Sequence, residues 1–180
     1  ERSARRAVDL QPSALQARAE LLEILLFARR YRHAAAEAAA TLSLAPDLGE
    51  AWYVRGWALA MAGDEAEWLD CLLKGLELWG LAAERLPALR AVFEAKGFAA
   101  GCGAMADLYA EQPLHFMRRG LPIASLRALA GQANEAFAIL DAAAARGDPT
   151  LMFFPWMPHF DTLKADARYE PMASRVRLDG

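Results

Sequence analysis

The sequence predicts an all-α protein made of antiparallel helix hairpins that repeat along the chain. Three observations predict it. Alanine and leucine dominate the 180 residues while Val, Ile and Thr are few, so strand formers are nearly absent. Pro12 and Pro46 stand 34 residues apart in matching surroundings, Leu10-Gln11-Pro12-Ser13-Ala14-Leu15-Gln16-Ala17 against Leu44-Ala45-Pro46-Asp47-Leu48-Gly49-Glu50-Ala51. Between and beyond these marks apolar residues recur at helical spacing, and Gly63-Asp64 reads as a turn between two such runs.

Residues 1–12 read as the second helix of a repeat whose first helix is missing, with the small Ala7 five residues before Pro12. A start in mid-repeat without Met predicts that a longer protein extends before it. The first full repeat spans 13–46, opened by a capping box from Ser13 to Gln16; Asp47 to Glu50 offers the same device in the second repeat, 47–80. Each cap is expected to contribute about 0.5–2 kcal/mol. Leu21, Leu22 and Leu25 are first-helix core positions, and Ala34, Ala38 and Thr41 second-helix ones. In the second repeat Trp68 stands where a small residue belongs, so the two helices are expected to be pushed apart there, at a cost of about 1–3 kcal/mol.

Over 81–119 the period lapses, predicting an irregular helical insert: a helix over 82–95, a stop at Gly97 and a helix over 99–111. A third repeat returns over 120–148, with Ile123-Ala124, a turn at Gly131, and Ala136, Leu140 and Ala143 on its second-helix face. The segment 149–180 carries aromatics and prolines, then two short helices that Asp161 and Asp166 are placed to cap. Phe153, Phe154, Trp156, Phe160, Leu163 and Tyr169 are expected to close the last hairpin, with Trp156 or Phe160 buried against the helix over 133–146. The alternative for Phe153-Phe154-Pro155-Trp156-Met157 is a hydrophobic docking site. The whole chain reads as a single helical domain.

The 34-residue period with Trp52, Arg55-Gly56 and Leu59 resembles the tetratricopeptide repeat (TPR), a helix-turn-helix unit that stacks into a solenoid. Arg18 stands where that family usually has Trp, Leu22 replaces its small glycine, and Arg127 occupies a usually aromatic position. The resemblance implies a TPR-like α-solenoid of antiparallel helix hairpins with an irregular helical insert and a C-terminal cap. The last third is more specific. Gly131, Asn134-Glu135-Ala136-Phe137, Leu140, Ala143 and Arg146-Gly147-Asp148-Pro149 precede Pro158, Phe160-Asp161, Leu163-Lys164 and Asp166-Ala167-Arg168-Tyr169. That order resembles the C-terminal TPR region of bacterial CadC-like transcriptional regulators and of related adenylate cyclase or Ser/Thr kinase signalling proteins. There a final repeat is followed by P-x-F-D-x-L-[RK]-x-D-P-R-[FY], and here Ala167 replaces the second proline. The chain carries no DNA-binding, kinase or cyclase motif, so the resemblance implies the regulatory module of such a protein.

Charge and chemistry narrow the function. A net charge of -3 and a pI near 5.7 give no general attraction for nucleic acid or an anionic membrane, and Arg2, Arg5 and Arg6 form only a short basic cluster. Apolar runs such as 24–28 and 57–62 are too short to cross a bilayer. Cys71 and Cys102 lack motif spacing and read as buried reduced thiols. Gly101-Cys102-Gly103-Ala104-Met105-Ala106 matches the dinucleotide pattern G-x-G-x-x-A, but a helix and turn precede it where the motif needs a strand. His33, His115 and His159 have no metal-ligand spacing and read as surface or interface residues. No catalytic residue, metal or cofactor is expected, and the chain reads as non-enzymatic.

In TPR proteins the first helices line a concave groove. The family's groove positions fall here on Gln16, Ala19, Glu23, Leu26 and Phe27, then on Glu50, Tyr53, Trp57, Ala60 and Met61. A protein or peptide partner is therefore expected on Glu23, Phe27, Glu50, Tyr53, Trp57 and Met61; the other reading of Trp57 is packing against the next repeat. The chaperone-tail clamp of the family is excluded, since it needs Lys and Asn where Ala19 and Glu23 stand. Two further readings stay open: a small-molecule sensor with its pocket in 81–119, and self-association through the N-terminal end. A cytoplasmic location is the default, or periplasmic in a membrane-anchored CadC-like parent.

Overall fold

The computed structural model describes residues 1–64, 67–111 and 120–176, and every regular element among them is helical. The chain divides into two compact units, Glu1–Leu86 and Pro87–Gly180.

The first unit holds α1 (Arg2–Leu10), α2 (Leu15–Phe27), α3 (Tyr31–Leu44), α4 (Gly49–Ala62) and α5 (Trp68–Leu78), followed by a short 3-10 turn at Ala83–Arg85. α2 and α3 form one hairpin and α4 and α5 the next; α1 packs on α2, α2 packs directly on α4, and α3 lies against both. Leu21, Leu22, Leu25, Ala34 and Ala38 fill the first hairpin and are fully buried, as their helical spacing predicts.

The turn of each hairpin is closed by the same pair of backbone bonds. Arg29 N–H donates to Leu26 O and Arg30 N–H to Leu25 O; Gly63 N–H donates to Ala60 O and Asp64 N–H to Leu59 O. This pair of hydrogen bonds is the Schellman ending, which needs one residue at positive φ. Gly63 meets the need without cost at φ 73°, whereas Arg29 meets it at φ 58° against the steric preference of an L side chain.

Two expectations for this unit are corrected. Neither capping box forms: α2 starts from Ala14 and α4 from Leu48, with no side-chain cap, so Ser13 and Asp47 lie one residue too early to reach the open N–H groups. Gln16 instead donates to Glu20 at 3.2 Å. Trp68 does not hold the second hairpin open. It sits half-buried at the first residue of α5, and further along Gly56 and Gly75 bring the helices together. A Cβ on Gly56 would meet Leu72 N at 2.7 Å, and one on Gly75 would meet Tyr53 N at 2.7 Å. Arg18, at the position where the resembled family usually has Trp, makes the same contact as Trp52. Its Nε donates to Pro12 O at 2.6 Å, and 34 residues on the Trp52 indole N–H donates to Pro46 O at 2.7 Å. Either side chain can bind the proline carbonyl six residues back; Arg18 adds an ion pair with Glu37 at 3.0 Å.

The second unit contains nearly all of α6 (Leu86–Glu111), then α7 (Gly120–Leu129), α8 (Ala133–Ala145), 3-10 turns at Pro149–Phe153 and Pro158–Leu163, and α9 (Tyr169–Val176). α6 reverses at Gly97, where φ is 83° and ψ 179°. A Cβ on Gly101 would collide with the Phe93 ring; eight residues along a straight helix would separate the two by about 12 Å. The helix over 82–95, the stop and the helix over 99–111 are therefore present in outline.

The 34-residue spacing, which the sequence alone loses after Leu81, persists in the backbone. Arg29, Gly63, Gly97 and Gly131, each 34 residues after the last, all have positive φ. Burial keeps the same register: Ala38, Leu72, Ala106 and Leu140 are all fully enclosed.

Beyond the α7–α8 hairpin the tail folds back as a lid. Phe154, Phe160, Leu163, Tyr169 and Met172 join Ala124, Ala136, Phe137, Leu140 and Ala143 in one core. Phe154 lies 4.8 Å from Phe160 and 5.0 Å from Tyr169 between ring centroids, and the Thr162 hydroxyl donates to Ala128 O at 3.2 Å. Asp148 accepts from Thr150 N–H and starts the first 3-10 turn; Asp166 accepts from Arg168 N–H just before α9. Asp161 does not cap a helix: it lies inside its 3-10 turn and pairs with Lys164.

Candidate functional site on the α2–α4 face

Helical spacing places Glu20, Glu23 and Phe27 along one side of α2, and Glu50, Tyr53, Trp57 and Met61 along one side of α4. Because α2 packs directly on α4, these rows adjoin. Glu20 and Glu23 are exposed; Phe27, Glu50, Tyr53 and Met61 are half-buried. Trp57 departs from this pattern. It is 1% exposed, the largest of the fully buried side chains, and its indole is a core group that no partner can reach in this conformation. It is corrected here from groove anchor to packing residue. Tyr53 leans on Trp79, with ring centroids 4.5 Å apart, and meets Trp57 edge-on at 6.0 Å. Trp79 is thus part of the platform beneath Tyr53, and nothing in the local spacing of α4 announces it.

The carboxylates of this face crowd one another. Loss of solvation raises the Glu23 pKa above the ordinary carboxylate value, and the charges of Glu50 and Glu20 raise it further. Glu50 is raised in the same way, first by burial and then by Glu20. Glu20, which the sequence reading passed over, is legible as the residue one turn before Glu23. Among the described residues no Lys or Arg pairs with these three, while Glu1, Glu37, Glu67 and Glu77 of the same unit each pair with a cation.

Other chemistry-bearing residues stand apart from this face. Cys71 and Cys102 are buried and free, and burial pushes both thiols up, Cys102 to about 12, which keeps them protonated and poor nucleophiles. His33 is exposed. His159 is buried in the lid rather than on a surface, and burial pushes its pKa down to about 4. His115 lies outside the described residues. Among the described residues no group of His, Cys, Asp and Glu is arranged to hold a metal ion. Gly101 and Gly103 lie within the second arm of α6, and Gly101 is small because Phe93 rests on it; no strand precedes them.

A cavity of about 400 Å³ lies outside the 81–119 stretch where a sensor pocket is expected. It is lined by Ala144, Pro149, Leu151, Met152, Arg175 and Val176 among others. Trp156, 64% exposed, forms an open apolar patch with Met152 and Phe153 on the tail.

No helix among the described residues is long and apolar enough to cross a membrane. No family model, curated protein or solved structure matches the chain.

Proposed function

We propose that the chain is a TPR-like α-solenoid acting as a protein-interaction scaffold, the regulatory module of a larger bacterial signalling or transcription-regulatory protein. A peptide or protein segment binds across the first helices, on Glu23, Phe27, Glu50, Tyr53 and Met61. The observation that carries the reading is that Phe27, Tyr53 and Met61 remain half open on neighbouring helices whose inner faces, Leu21, Leu22 and Leu25 on one and Ala51, Val54 and Ala58 on the other, are buried. Aromatics backed by a rigid platform, as Tyr53 is by Trp79, lose little entropy when a partner covers them, and this is the character of interface anchors.

The reading is tested by selecting peptides from a displayed random library on the whole chain. The selected peptides are then measured against a Phe27→Ser/Tyr53→Ser variant. Binding is expected to weaken by more than about 1 kcal/mol while the helical signal and melting temperature hold. Selected peptides indifferent to the double substitution would remove the face as the site.

The open patch of Met152, Phe153 and Trp156 supports a second reading, a docking or self-association surface on the tail. Light scattering of the chain and of Trp156→Ser separates the two.

A further inference from the structure

We infer that the segment held on the α2–α4 face is cationic as well as apolar, a peptide whose Lys or Arg side chains meet Glu20, Glu23 and Glu50 while its apolar side chains cover Phe27, Tyr53 and Met61. The inference rests on the reading above and names the chemical class of the partner. It starts from an asymmetry within one unit. Arg18 and Arg5 reach Glu37, Arg30 reaches Glu1, Arg55 reaches Glu67 and Lys74 reaches Glu77. Among the described glutamates of this unit these four meet a cation, whereas the three beside the half-open apolar residues, and Glu84 elsewhere, do not.

The protonation of the face points the same way. Glu23 and Glu50 hold their protons more tightly than ordinary carboxylates, because water is partly excluded and like charges adjoin. A cation changes the sign of the charge interaction, turning repulsion into attraction, and partial desolvation strengthens that attraction relative to open water. An acidic segment would meet added repulsion on all three carboxylates, and a purely apolar one would bury them unpaired. Charge complementarity of this kind governs which partner is accepted and how fast it arrives. The apolar residues supply the contact area that the charges cannot.

The test uses the same displayed random peptides, now read for composition and charge. Peptides whose binding depends on Phe27 and Tyr53 are expected to be enriched in Lys and Arg over Asp and Glu. Their affinity is expected to fall about tenfold from low to high salt. Glu23→Gln/Glu50→Gln is expected to remove the salt dependence without loss of helical content. Glu23→Lys/Glu50→Lys is expected to turn the preference toward acidic peptides. Face-dependent peptides with neutral or acidic composition, or with no response to either charge variant, overturn the inference while leaving the face as a binding site. Peptides that ignore Phe27 and Tyr53 overturn the underlying reading as well.

Discussion

The hairpins of the first unit and the α7–α8 hairpin are built by the same rules and finished differently. Each turns on a residue at positive φ in the same register, and each closes its two helices over small side chains, Ala34 and Ala38 in one case, Ala136 and Ala143 in the other. On α7–α8 the tail then lays Phe154, Phe160 and Tyr169 over the hairpin and encloses them. On α2 and α4 the first-helix face keeps Phe27, Tyr53 and Met61 half open beside Glu20, Glu23 and Glu50, which no Lys or Arg pairs among the described residues. A helix hairpin cannot cover its own apolar surface alone. The lid satisfies that need within the chain, whereas the α2–α4 face stays half open.

The comparison is most easily broken at the lid. Phe160 is 0% exposed, and Phe160→Ala is expected to destabilise the second unit by about 3–5 kcal/mol. Trp156→Ala, on the outside of the same lid, is expected to change stability by less than about 0.5 kcal/mol. Thermal unfolding of both variants measures the difference, and a comparable loss from each would mean the lid does not close as described.

Acid separates the two regions next. His159 binds its proton at about pH 4 in the fold against 6.5 when unfolded. Above pH 6.5 it is neutral in both states and contributes no pH dependence. As pH falls from 6.5 toward 4 only the unfolded chain takes up the proton, so the second unit loses about 3 kcal/mol over that window. Glu23 and Glu50 are raised, which gives the opposite sign: the fold takes up their protons first, and the first unit becomes more stable as pH falls toward the ordinary carboxylate value. Amide exchange at pH 7 and pH 5 is expected to show protection falling around Phe154–Tyr169 relative to α2 and α4, after correction for intrinsic rates. His159→Leu is expected to remove that loss from the lid.

Gly56 sharpens the comparison within the first unit. A methyl group there presses on the Leu72 backbone, so Gly56→Ala is expected to cost about 1–3 kcal/mol by chemical denaturation. The opposite sign is expected at Arg29, whose positive φ Gly adopts freely: Arg29→Gly is expected to stabilise the first hairpin by up to about 1 kcal/mol. A destabilised Arg29→Gly would mean the turn draws more from the arginine side chain than from its backbone.

Much of this architecture is legible along the chain. The hairpin boundaries follow from apolar spacing and from Gly63 and Gly131, because helix formation and helix reversal are decided within a few residues. The small second-helix residues Ala34, Ala38, Ala136 and Ala143 are legible for the same reason: only small side chains suit a close helix contact, whatever lies opposite. The lid is legible as a cluster of aromatics after the last hairpin.

What the chain alone leaves open is which large side chains end up inside. Trp57 and Trp156 both stand among apolar neighbours, yet one is enclosed and the other lies open. Their burial is set by what folds over them from distant parts of the chain, and no local pattern carries that information. The same holds at the candidate site. Spacing brings Glu20, Glu23 and Phe27 to one side of α2, but their meeting with Glu50 and Tyr53 exists only because α2 packs on α4. It holds again at Arg29, where the sequence shows an ordinary arginine and the turn imposes positive φ. The sequence by itself determined the helices, their reversals and the small-residue seams, all consequences of short-range sterics and hydrogen bonding. The tertiary structure decided which tryptophan is core, which carboxylates crowd and which surface stays open, because those depend on helices that only packing brings together.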